Sequence, residues 1–257
     1  VKFGGLFFMT WWLSSIILFI PVFFSGLLVF NLRFTEKKLK LILSFSGAYI
    51  LALVILHLLP ELYEKQNFKS IGLFILCGFF VQLLLEFFST GIEHGHAHFH
   101  GTTSKIPFAV FVGLFIHSML EGMPITQINS IEKAGGLINF SDSLVVGIVL
   151  HNIPISIAFT GMLLHAGFSR IKTTLCLIAF ALMAPIGCML TALLNQLNFS
   201  GFEDFLTISL AIVVGIFLHI STTIMFESSE KNHRYQLSKI LAILSGTVVA
   251  WVLSGTA

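Results

Sequence analysis

The sequence predicts an all-α integral membrane protein, with eight transmembrane helices in one bundle. Three observations carry that prediction. Of 257 residues, 56% are hydrophobic and only 10% are charged. The apolar residues come in blocks rather than at the 3.6-residue spacing of a half-wet helix. The blocks are about 20 residues long, the length that crosses a hydrocarbon core of roughly 30 Å. The loops between them are too short for a second folded domain and none reads as a flexible linker, so residues 1–257 form a single membrane domain. Function must then reside within the bundle.

The first block, Trp11 to Leu32, follows Lys2 as a signal peptide would. Its apolar run exceeds the roughly 7 to 15 residues of that class and no small-residue cleavage site follows, so a retained helix is expected. The second and third spans are Leu41 to Tyr63, with His57 and Glu61 towards its end, and Phe68 to Thr90, with Glu86. The fourth, Phe108 to Ile128, holds His117 and Glu121, and the fifth, Ser143 to Ala166, holds His151 and Asn152. Thr174 to Asn195, Phe205 to Phe226 and Leu237 to Ser254 complete the set. Pro154 removes a backbone donor and clashes with the carbonyl of Leu150, which predicts a kink. Pro124 and Pro185 predict comparable kinks. Cys77, Cys176 and Cys188 all fall inside apolar spans, where the side chain packs, and they predict neither disulfides nor a thiolate site.

Orientation follows from the basic residues. Loops 1–2, 3–4, 5–6 and 7–8 hold Arg33, Lys37, Lys38, Lys40, Lys105, Arg170, Lys172, Lys231, Arg234 and Lys239, ten of the fourteen Lys and Arg. These loops are therefore expected in the cytoplasm, which puts both termini on the extracytoplasmic side. The same asymmetry accounts for the net charge of +2 without a nucleic-acid partner. Helices 4 and 5 then run in opposite directions, with His117 and His151 both near mid-membrane.

A carboxylate at the centre of a spanning helix costs about 2.5 to 3.5 kcal/mol on insertion scales, so Glu121 needs a partner or an aqueous cavity. Four residues along a helix return to the same face, so His117 and Glu121 line one stripe. Imidazole and carboxylate together suit zinc and similar divalent ions. A third ligand from His151 makes an open site, which a transporter needs in order to release its ion. The plainer alternative, in which His151 and Asn152 only hydrogen-bond between helices, is outweighed by the presence of His117 and Glu121. The predicted partners are thus a divalent metal ion and the lipid bilayer.

These residues resemble the ZIP (Zrt/Irt-like) transporters of zinc and iron. The matching segments are His57-Leu58-Leu59-Pro60-Glu61, His117-Ser118-Met119-Leu120-Glu121-Gly122, His151-Asn152-Ile153-Pro154 and Ala184-Pro185-Ile186-Gly187. Eight helices, outside termini and a His-rich loop after helix 3 agree with that family. The resemblance implies a multi-pass protein of the cell membrane that moves divalent metal into the cytoplasm by sliding or rocking one helix set against another. It also makes a homodimer plausible. Many members carry a carboxylate four residues after the helix 5 His or Gln, which bridges two metals, whereas this chain has Ile155. Helix 6 has no acidic residue between Thr174 and Leu194. One transported ion is therefore expected, held by His117, Glu121 and His151, with Asn152 or Ser118 as weak or water-mediated partners. Zn2+ fits such a site best; Fe2+, Cd2+ and Mn2+ are the alternatives.

His57 and Glu61, one turn apart near the outer face, are candidates for capturing metal at the entrance. Glu86, His219 and Glu227 are candidates for an exit path, against the plain reading that interfacial acids reach for water. His165 and His233 read as interfacial or solvated. The cytoplasmic loop at 91–106 contains His94, His96, His98 and His100, alternate histidines that bind zinc weakly and exchange it quickly. A rival function is an intramembrane zinc-dependent hydrolase, since zinc lowers the pKa of bound water to about 7. That function lacks a His-Glu-x-x-His motif, and the polar residues form a chain through the bundle rather than one closed cluster.

Overall fold

The computed structural model describes residues 3–32, 34–64, 70–89, 108–125, 140–226 and 233–253. Among them the chain forms helices only: α1 Phe3–Leu28, α2 Glu36–Glu64, α3 Ile71–Ser89, α4 Phe108–Gly122, α5 Phe140–His165, α6 Arg170–Gln196, α7 Phe202–Phe226 and α8 His233–Leu253. Six of these are long and apolar enough to cross a membrane, while Trp12–Leu28 and Phe108–Gly122 are shorter apolar helices.

The fourth helix is the main departure from expectation. It is interrupted after Gly122, where Met123 turns back onto the carbonyl of Leu120 at 3.2 Å; Ile125 is helical again, and residues 126–128 lie outside the described residues. Pro124 accounts for this, because a proline pushes the preceding residue towards extended backbone. The predicted kink is thus seen as a break in the helix at Met123 and Pro124. Pro154 and Pro185 lie inside unbroken helices, as does Pro21 in α1.

Helix α2 contains an irregularity that the pattern of apolar residues did not announce. Val54–Leu58 forms a π-turn, in which the Leu59 N–H reaches back to Val54. Two turns of the apolar stripe lie on either side of it, with Ile50, Leu53, Val54, Leu58 and Leu62 all buried. Pro60 follows directly, and its ring conflicts with the carbonyl of Leu56, so a widened turn relieves the clash. His57 lies inside this turn.

Capping at the loops is local. Thr35 accepts the Lys38 N–H at 3.4 Å, and Ser169 accepts that of Lys172 at 3.4 Å. Such side chains satisfy orphan donors of the first turn. The Lys239 ammonium donates to the Met225 carbonyl at 2.8 Å, placing a cation at the negative end of α7. Arg170, opening α6, lies 5.7 Å over the ring of Phe30, just past α1.

The helices pack as two sets. One comprises α1, α4, α5 and α6, and the other α2, α3, α7 and α8; the sets meet where α3 touches α4 and α2 touches α5. The first set has an apolar core of its own, built from Val22, Val110, Leu114, Ile155, Phe159 and Phe180 among others. Helix crossings within a set bring backbone onto backbone. A Cβ on Gly122 would lie 2.0 Å from the Ala184 carbonyl oxygen, and one on Gly187 would lie 2.0 Å from that of Met119, which locks α4 to α6. In the other set Gly78 and Gly215 do the same for α3 and α7, and Gly246 for α8 against Phe45 on α2. Small residues at such crossings are the usual means of close helix approach in lipid, where packing rather than water exclusion drives association.

Candidate metal centre

The α4–α6 crossing determines where α4 presents its polar stripe. Met119, the residue that Gly187 approaches, lies between His117 and Glu121, so the ligand pair is carried at the tightest part of that contact. Both residues are fully buried. The His117 Nε2 stands 3.2 Å from Glu121 Oε1, one helical turn away. His151, near the middle of α5, is also fully buried, and its ring lies 6.0 Å from that of His117 at 80°. One ligand atom from each of His117, Glu121 and His151 falls within 4.8 Å of the others. Among the described residues, this is the group of His, Cys, Asp or Glu able to surround one ion.

Neighbouring groups hold the cluster in shape. Asn152 donates from Nδ2 to Glu121 Oε2 at 2.9 Å, while its own Oδ1 is buried with no hydrogen-bond partner among the described residues. That oxygen is a donor atom of the kind that divalent ions take. His117 Nδ1 is 2.9 Å from Oε1 of Gln82, a fully buried side chain on α3. An amide oxygen only accepts, so Nδ1 is the donor in this pair, and in the neutral imidazole that leaves the Nε2 lone pair facing the cluster. Sequence reasoning missed Gln82. The available signal was a lone amide within the apolar run Ile71–Ser89, a position that needs a polar partner.

The remaining candidates separate clearly. Ser118 is buried next to His117, about 100° round the helix from it. Ile155 is fully buried against the apolar core of its helix set, so no carboxylate occupies the position that would bridge a second metal. His57 and Glu61 are half-buried on α2 and are not part of the three-residue group. Glu86 and His219, predicted separately, are brought together at 2.6 Å between Oε2 and Nε2, with the Phe79 ring edge-on to the imidazole. His165 is exposed at the end of α5. His94, His96, His98 and His100 lie outside the described residues, as does Glu227.

A multi-pass membrane protein with a buried His–Glu–His cluster belongs to the class of divalent-metal carriers and channels. The chain is a member of the ZIP zinc transporter family, whose model matches residues 100–254. It is similar to zinc transporter ZIP9 of Micropogonias undulatus, 23% identical over 310 aligned positions that cover 94% of this chain and 96% of that one. Zinc transporter ZIP9-A of Xenopus laevis is likewise 23% identical over 309 positions, with the same coverage. Zinc transporter ZIP13 of Pongo abelii is 26% identical over 232 positions, covering 84% of this chain and 67% of the relative. This is a family of transporters rather than enzymes, which sets the hydrolase alternative aside.

Proposed function

We propose that this transporter carries zinc into the cytoplasm through one mid-membrane site formed by His117, Glu121 and His151, with Asn152 as a weaker partner and Ser118 acting through water. The observation that carries this reading is the approach of three ligand atoms to within 4.8 Å, in residues fully removed from solvent. Two imidazoles and one carboxylate favour zinc over manganese or magnesium, while Fe2+ and Cd2+ remain the nearest competitors. Relatives described as zinc transporters support the same ion.

The direction rests on the basic loops, which put the termini outside and Arg170, Lys172 and Lys239 on the cytoplasmic face. We place the protein in the cell membrane, where this orientation makes transport an uptake. His57 and Glu61 receive hydrated metal at the outer end of α2, where the π-turn opens the backbone. Glu86 and His219 lie along the inward route, and the histidines at 94, 96, 98 and 100 take up the delivered ion. The eight helices act as one domain, in which the set α1, α4, α5 and α6 carries the ion past α2, α3, α7 and α8. A homodimer would be built on the outward apolar helix faces.

Zinc accumulation in proteoliposomes tests the reading. Wild-type protein is expected to load the vesicles, and Glu121→Ala to lose uptake while inserting normally. Uptake unchanged in Glu121→Ala removes that residue from the site.

A further inference from the structure

Helix α3 turns most of its surface outward. Leu73, Leu76, Phe80, Leu83, Leu84 and Phe87 are all exposed large apolar side chains. Gln82 breaks this pattern, being fully buried. Its carbonyl oxygen faces His117 Nδ1 at 2.9 Å, across the boundary between the two helix sets. We infer that Gln82 is a positioning residue for transport: by accepting the His117 Nδ1–H it holds the Nε2 lone pair towards Glu121 and His151, and it does so from the helix set that does not carry the ligands.

This inference rests on the proposed role of the three-residue site. Its chemistry is that of a buried imidazole with two distinguishable nitrogens. Of these, only the unprotonated one binds a metal, and the partner on the other nitrogen decides which that is. Without an acceptor at Nδ1, His117 is free to rotate or to move its proton to Nε2, and either change removes a ligand. Outer-shell partners of metal-bound histidines typically govern affinity by about 10- to 100-fold. Because the acceptor sits on α3, the ring is held in the binding orientation only while α3 and α4 keep their present contact. High affinity is thereby tied to one relative position of the two sets, and a displacement of α4 past α3 weakens the site as the ion is handed on.

The test is zinc uptake into proteoliposomes by the full chain, with transporter content quantified in each preparation. Gln82→Leu and the unbranched Gln82→Met remove the acceptor while preserving bulk. Gln82→Glu retains an oxygen acceptor at the same reach. Both apolar variants are expected to raise KM for zinc by about 10-fold or more, with maximal uptake per molecule changed by less than about twofold. Gln82→Glu is expected to return KM to the wild-type value or below it. A residue that only packs would lower the amount of folded protein and leave KM unmoved. If Gln82→Met or Gln82→Leu transports with wild-type KM while Glu121→Ala is inactive, this inference is wrong and the site stands. If Glu121→Ala transports normally, the site reading fails and the role of Gln82 falls with it.

Discussion

At the residue scale, the site is a balance between the cost of burying a carboxylate and the groups that offset it. Glu121 lies at 0% exposure; Asn152 Nδ2 donates to one oxygen at 2.9 Å, and the other oxygen stands 3.2 Å from His117 Nε2, two lone-pair atoms that a shared cation would satisfy. Asn152 thus donates to the carboxylate and keeps its own Oδ1 buried without a hydrogen-bond partner among the described residues. Asn152→Leu, which removes both, is expected to weaken zinc binding by about 10-fold or more without preventing membrane insertion. Competition titration against a chromophoric chelator measures this, and unchanged affinity would reduce Asn152 to an interhelical contact. His117 and Glu121 were legible in sequence because the helical period by itself puts positions four apart on one face. His151 was legible because its place along its apolar span put it at about the depth of His117 on the neighbouring one. Gln82 was not legible, since nothing within α3 indicates which neighbour its amide will meet.

At the element scale, the glycine crossings decide which helices are held backbone to backbone. A methyl group on Gly187 has to displace the Met119 backbone between His117 and Glu121, and one on Gly246 has to displace that of Phe45, remote from the candidate site. Overpacking of this kind typically costs about 1 to 3 kcal/mol. Gly187→Ala and Gly246→Ala are both expected to lower the thermal midpoint, but only Gly187→Ala should raise KM for zinc. Equal KM values in the two variants would separate the α4–α6 contact from ligand placement. The apolar blocks predicted every helix, yet two features depended on neighbours or on backbone detail. At Pro124 the helix opens into a turn before Ile125, and Pro60 is preceded by a π-turn around His57. A proline signals an interruption, and whether the chain bends, widens or stops is settled by what packs around it.

At the scale of the whole molecule, a contrast in packing separates two bodies. Within each set, glycines bring backbones together, whereas between the sets the contacts are made by side chains. The Tyr49 hydroxyl on α2 donates to the Ser143 carbonyl on α5 at 2.9 Å, and a Cβ on Gly147 would meet the Tyr49 ring at 3.0 Å. Such a boundary can slide while its two bodies stay intact. Replacing Tyr49 and Gly147 by cysteine, with Cys77, Cys176 and Cys188 changed to alanine, allows the sets to be joined by a short bifunctional thiol reagent. Zinc uptake is expected to stop on joining, and continued uptake would point to a fixed channel. The outward surfaces are largely apolar, with Leu237, Ile240, Leu241, Leu244 and Val248 exposed along α8. Water would not tolerate that face, but lipid or a second copy of the chain does. This general character was evident from composition, whereas the division into two sets was not, because it depends on which glycines face each other.

The central claim is that one zinc ion sits between His117, Glu121 and His151. Anomalous scattering at the zinc edge, from crystals of the zinc-loaded full chain, tests it most directly. The account predicts a single strong peak among the three residues, with imidazole nitrogens at about 2.0 to 2.1 Å and a carboxylate oxygen at about 2.0 to 2.2 Å. A zinc-loaded, transport-active sample whose peaks all lie elsewhere, with nothing between these side chains, would contradict it.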